Sequence, residues 1–113
     1  LTLYWRVERP LPIDETIFVQ LLGEQMNAQG NPVWAQIDEM PCQATFPTSV
    51  WEAGALVLTR YRLRLAADAP AGDYRLVAGM YDALSGARLT MRDGAGGAID
   101  ENAATLTLIS VTP

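Results

Sequence analysis

The chain has no histidine, no lysine and a single cysteine, Cys42, in 113 residues. Without histidine it lacks the commonest general base and the commonest transition-metal ligand. Without lysine the usual substitute base is missing too, so Ser49, Ser85, Ser110 and Cys42 have no obvious activator for a nucleophilic triad. One cysteine forms no internal disulfide and leaves the redox compartment open. No apolar run approaches the ~20 residues of a membrane-crossing helix. No basic start followed by an apolar stretch marks a signal peptide. Leu1 already lies inside a strand pattern, so the chain reads as a fragment of a longer protein, and absent targeting signals carry little weight. Apolar residues do not recur at helical spacing, and there is no internal repeat.

What is present is one domain's worth of chain, 1–113, half of it apolar. Thirteen acidic residues against eight arginines give a net charge of −5. An acidic domain repels nucleic acid and anionic membrane surfaces, so neither is expected as a partner.

The stretch 70–88 carries the clearest fold signal. Pro70-Ala71-Gly72 leads into Tyr74, then an alternating strand over 74–82, then a turn at Ser85-Gly86. Asp68 and Gly72 ahead of Tyr74 match the tyrosine corner, in which a Tyr opens a strand and its hydroxyl ties back to the backbone just upstream. An antibody-type domain has cysteine two positions later; here that residue is Leu76. The expectation is an immunoglobulin-like sandwich without its disulfide.

The remaining strands follow from period-two alternation. Residues 1–8 place Leu1, Leu3, Trp5 and Val7 on one face. Residues 15–22 are apolar on both faces, which suits a central strand. Gly30-Asn31 marks a turn, and 33–38 is a short strand with Trp34, Gln36 and Asp38 opposite Val33, Ala35 and Ile37. Residues 39–54 are irregular. Residues 55–65 form the longest strand, with Tyr61, Leu63 and Leu65 on one face and Arg60, Arg62 and Arg64 on the other. A hairpin at 83–87 returns into 88–92, 93–104 is a Gly-rich loop, and 105–112 is the last strand. Seven strands joined by turns predict an all-β antiparallel sandwich. A closed barrel is the alternative, and the loop 39–54, read as a crossing between sheets, favours the sandwich.

Chemistry-bearing groups are sparse. Asp38, Glu39, Glu52, Asp82 and Asp93 offer a carboxylate pair of the glycosidase kind, yet aspartates at strand ends chiefly close turns and keep edges soluble. The loop 93–102 holds oxygen ligands, but the calcium-loop spacing fails at Ala95 and Gly97. Its glycines are followed by no Lys-Ser/Thr and no helix, so it is no phosphate loop. No catalytic residue, metal ligand or cofactor is assigned. The arginine stripe 60/62/64 fits phosphate or uronate groups, or cross-strand pairing with acidic neighbours on a solvated face.

The tryptophans are more informative. Trp5 follows the core phase of its strand and is expected buried. Trp34 is out of phase with the apolar positions of its strand, and Trp51 lies in the irregular loop. Aromatic faces beside polar groups grip sugar rings, so Trp34, Gln36, Asp38 and Trp51 are the candidate ligand-binding set. The plainer alternative has Trp51 plugging one end of the sandwich and Trp34 packing against another domain.

Several segments together resemble a known family: Leu3-Tyr4-Trp5, Thr16 to Leu22, Ala35 to Pro41, Pro47-Thr48-Ser49-Val50-Trp51-Glu52-Ala53-Gly54, and Pro70 to Tyr74 through Tyr81-Asp82. In that order they resemble the C-terminal extracytoplasmic β-sandwich of bacterial membrane glycosyltransferases of the protein mannosyltransferase and aminoarabinose transferase type. The sequence departs from that pattern at Cys42 and Ala44, where a Gly-containing turn is usual, and at Ala55, where an acidic residue is common. The resemblance implies an opening strand ahead of Leu1. It also implies a non-catalytic accessory domain outside the cytoplasm, attached to the membrane through its parent chain. Glycan and the membrane-embedded part of the parent are the implied partners, with no membrane insertion by this segment itself. The competing function is a structural module for protein–protein or interdomain docking.

Overall fold

The structure is a computed structural model and describes residues 1–112. Six strands form: β1 (Thr2–Arg6), β2 (Thr16–Gly23), β3 (Val33–Glu39), β4 (Leu56–Arg60), β5 (Gly72–Tyr81) and β6 (Ala104–Val111). They build two antiparallel sheets, β1-β4 and β3-β2-β5-β6. The expected all-β sandwich without a disulfide is therefore what the chain adopts, and Cys42 is free and exposed.

The core lies between the sheets. Ile17, Val19 and Leu21 of β2 and Tyr74, Leu76, Ala78 and Met80 of β5 face Val7, Trp51, Val57 and Tyr61. Alternation sorts these residues inward, because side chains two apart share a sheet face. The two central strands carry apolar residues on their other face too. Phe18 and Val77 are about 1% exposed there. The Arg88 guanidinium lies 4.3 Å from the Phe18 ring centre. Asn102 O reaches the backbone of Gly79 so closely that a Cβ on that glycine would stand 2.8 Å from it.

The tyrosine corner is formed: the Tyr74 hydroxyl donates to Pro70 O. The loop of 39–54 is pinned rather than loose. Thr48, fully buried, accepts from Glu15 N–H through Oγ1 at 2.8 Å and donates to Ile13 O at 2.8 Å. Beside it Ser49 N–H donates to the Asp14 carboxylate at 3.0 Å. These bonds fix the position of Trp51, two residues further on.

Three local expectations are corrected. Residues 88–92 make only the isolated bridges Tyr81–Arg88 and Arg92–Ala98, so the seventh strand is absent as a ladder. Of the strand expected over 55–65, residues 56–60 form ladder pairs with β1, and Leu1–Tyr61 adds one further backbone pair. Its inward and outward alternation nonetheless continues to Leu65, with Arg62 and Arg64 exposed and Leu63 and Leu65 half-buried. Trp34 is buried at 7% exposure, not displayed. The pairing of β2 with β3 steps from Leu21–Ala35 to Leu22–Val33, leaving Trp34 as the extra residue of a bulge. A bulge re-aims its side chain, and here it turns the indole inward.

Candidate functional site

The four residues singled out from the sequence do not converge. Trp34 packs over Gly23, where a Cβ would stand 2.8 Å from its Cδ1, and its indole N–H donates to Gln25 O at 3.0 Å. Gln36 and Asp38 follow the bulge on the outward face and are exposed. Asp38 there faces Tyr81, whose hydroxyl pKa is raised by burial first and by the Asp38 carboxylate second. Trp51 is only 3% exposed, donates its indole N–H to Phe46 O at 2.9 Å, and lies in the core with Met80. Trp34 sits by the Gly23–Tyr74 end of the β2–β5 ladder and Trp51 by its Ile17–Met80 end. Those ends are six residue steps apart, roughly 20 Å at ~3.3 Å per residue.

Trp51 has different companions. It forms part of the wall of a cavity of about 340 Å³ between the end of β1 and the segment 89–92. Trp5, Val7, Leu11, Met80, Leu89 and Met91 supply the rest of its apolar lining, and Arg6, Glu8, Arg9 and Arg92 bring charge to the same cavity. Trp5 is half-buried, not fully buried as its phase suggested, because β1 is an edge strand with the cavity beside it. Its indole N–H is held by Thr59 Oγ1 at 2.8 Å, which fixes the ring. Both indole N–H groups are already donated, so the half-buried Trp5 has ring surface left to present, while Trp51, only 3% exposed, serves as part of the wall behind it. Apolar wall with a few charged groups is the make-up of a small-molecule site.

Sequence reasoning passed over Trp5 because its strand phase assigned it to the core. The signal that points to it is Arg6 and Arg9 following Trp5, which places cations beside an aromatic at a strand end.

The other candidate groups have local duties. Asp82 Oδ1 accepts from Leu84 N–H at 2.9 Å, and Asp93 Oδ1 accepts from Ala95 and Gly97 N–H at 2.9 and 2.8 Å. Both are turn-closing aspartates. Among the described residues no three acidic or sulfur side chains converge as metal ligands. The Cys42 thiol lies 3.8 Å from Leu58 O. Arg60, Arg62 and Arg64 are exposed, and the guanidinium hydrogen bonds among the described residues belong to Arg75, Arg88 and Arg92 instead.

Compared with known proteins, the chain matches no family model, no curated protein and no solved structure. No helix among the described residues is long and apolar enough to cross a membrane.

Proposed function

We propose that this chain is a non-catalytic accessory sandwich of a larger cell-envelope protein of the membrane glycosyltransferase kind. In this reading it works outside the cytoplasm and holds or positions glycan. The supporting observation is the cavity lined by Trp5, Trp51 and three arginines. Ring surface packs against the CH-rich face of a sugar. Arginines grip carboxylate or phosphate substituents in a planar, two-pronged manner, so acidic sugars are the favoured class. Glu8 is the acceptor available for sugar hydroxyls.

The test is an array of bacterial glycans probed with the chain, Trp5→Ala and Arg6→Ala/Arg92→Ala. Selective binding to acidic glycans, lost in both variants while thermal unfolding stays cooperative, supports the proposal. No selective binding by a folded sample, or binding that both variants retain, overturns it.

A further inference from the structure

The far wall of the Trp5 cavity is built without a strand. Residues 89–92 line it, yet their stretch of chain carries only the isolated bridges Tyr81–Arg88 and Arg92–Ala98. At its start Leu89 N–H donates to Met80 O at 2.8 Å, which ties the wall to β5. Further along, the turn 99–102 takes up both backbone groups of Met91. Ile99 N–H donates to Met91 O at 3.1 Å, and Met91 N–H donates to Asn102 Oδ1 at 3.1 Å. A side-chain amide oxygen thus stands where a neighbouring strand would offer its carbonyl, and it meets the need of a backbone donor for a partner.

Asn102 suits that duty by conformation and by anchorage. Its φ is 52°, in the left-handed region that asparagine tolerates better than most residues. Its own N–H donates to Ile99 O at 3.1 Å. Its carbonyl oxygen lies against β5 at Gly79, where an added Cβ would stand 2.8 Å away. The backbone of Asn102 is therefore fixed to the outer face of the larger sheet, while its side chain holds the cavity wall. Arg92 follows Met91 directly and is the arginine this wall contributes; Arg6 and Arg9 come from the end of β1 and just beyond it. The Arg92 guanidinium donates to Gly96 O at 3.3 Å, within the turn that Asp93 closes. Three arginines against Glu8 make the lining cationic in a chain whose net charge is −5.

We propose that Asn102 is a positioning residue of this cavity: by holding Met91 it keeps Arg92 in the wall that faces an anionic ligand group beside Trp5. The inference rests on reading the cavity as the glycan site and adds the residue that fixes its anion-facing wall.

The experiment uses two readouts that need no glycan. The first is amide hydrogen exchange of the isotopically labelled chain, followed by NMR. The second is fluorescence quenching by iodide and by neutral acrylamide at constant ionic strength. Trp34 and Trp51 are 7% and 3% exposed and Trp5 is half-buried, so quenching reports chiefly on Trp5. Asn102→Gly removes the side-chain acceptor while accepting the positive φ without strain. Asn102→Asp keeps an acceptor oxygen, and Arg92→Ala removes the guanidinium.

In Asn102→Gly the Met91 amide is expected to exchange about tenfold faster or more, through local opening that leaves the β2 and β5 core amides unchanged. Asn102→Asp retains the Met91 protection. Iodide quenching relative to acrylamide is expected to fall about twofold in Asn102→Gly and in Arg92→Ala alike, as the cavity loses a fixed cation. Unchanged Met91 exchange in Asn102→Gly overturns the proposal. Equal acceleration of the core amides shows general destabilisation and overturns it too. So does faster Met91 exchange with the parent's iodide preference intact, or a parent chain that iodide quenches no better than Arg92→Ala. A negative glycan array beside the expected exchange and quenching results refutes the glycan reading alone.

Discussion

The Tyr74 hydroxyl donates to the carbonyl oxygen of Pro70, four residues upstream. Tyr74 is 2% exposed and packs in the core, so this bond ties the turn before β5 to the strand's buried face. Tyr74→Phe keeps the ring and leaves the carbonyl without its donor. A stability loss of about 1–3 kcal/mol is expected, the usual cost of orphaning a buried polar group. Urea denaturation measures it, and an unchanged midpoint would refute it.

The same substitution at Tyr61 has the opposite expected outcome. The Tyr61 hydroxyl is buried without a hydrogen-bond partner, and burial is the main cause of its raised pKa. Removing a buried, unsatisfied hydroxyl recovers desolvation energy. Tyr61→Phe is expected to be neutral or stabilising by up to about 1 kcal/mol, reflecting the same unmet hydrogen bond. Thermal melts of the two variants side by side distinguish the corner tyrosine from the sheet tyrosine.

Gly79 marks where β5 is approached from its outer face. A Cβ there would stand 2.5 Å from Phe18 Cζ and 2.8 Å from Asn102 O. The ring has little room, since Phe18 is 1% exposed, and the second obstacle is backbone. Gly79→Ala is expected to cost roughly 1–3 kcal/mol through overpacking. Gly94→Ala serves as the control, because nothing lies within 4 Å of its added carbon. Equal melting temperatures for the two variants would contradict this account.

Glu15 gives the chain a pH signature. It is 4% exposed, its Oε2 has no hydrogen-bond partner, and its pKa is raised above 4.5 by burial first and by the Asp82 charge second. A carboxyl with a raised folded pKa binds more protons in the folded state than in the unfolded one. Its contribution to stability therefore falls as pH climbs from 4.5 through the raised folded value, then levels off. Glu15→Gln removes that loss. Its stability relative to the parent chain should improve with pH across that window, as chemical denaturation at a series of pH values would show. A pH-independent difference would place the Glu15 carboxylate in contact with water.

Strand alternation was readable wherever one face meets the core. Leu76, Ala78 and Met80 point inward as their spacing requires, and the corner before Tyr74 was legible from Pro70, Gly72 and Tyr74. The turn duties of Asp82 and Asp93 were equally local. Trp34 was not legible, because the residue beside it in sequence does not determine its face; its partner strand does. The ladder skips one position between Leu21 and Leu22, and that skip sends the indole inward while Gln36 and Asp38 stay outside.

The sequence by itself determined the class of fold, since period-two burial and turn chemistry are local properties of the chain. It also determined the exclusion of a histidine- or lysine-assisted nucleophile. Only the tertiary structure decided which tryptophans share a cavity. Trp5 and Trp51 meet there, although they lie 46 residues apart in the chain, because the Thr48 hydroxyl pins one loop against residues 13–15 while β1 runs along the edge of its sheet. Long-range register is set by contacts across the whole sandwich, and no window of neighbouring residues contains it.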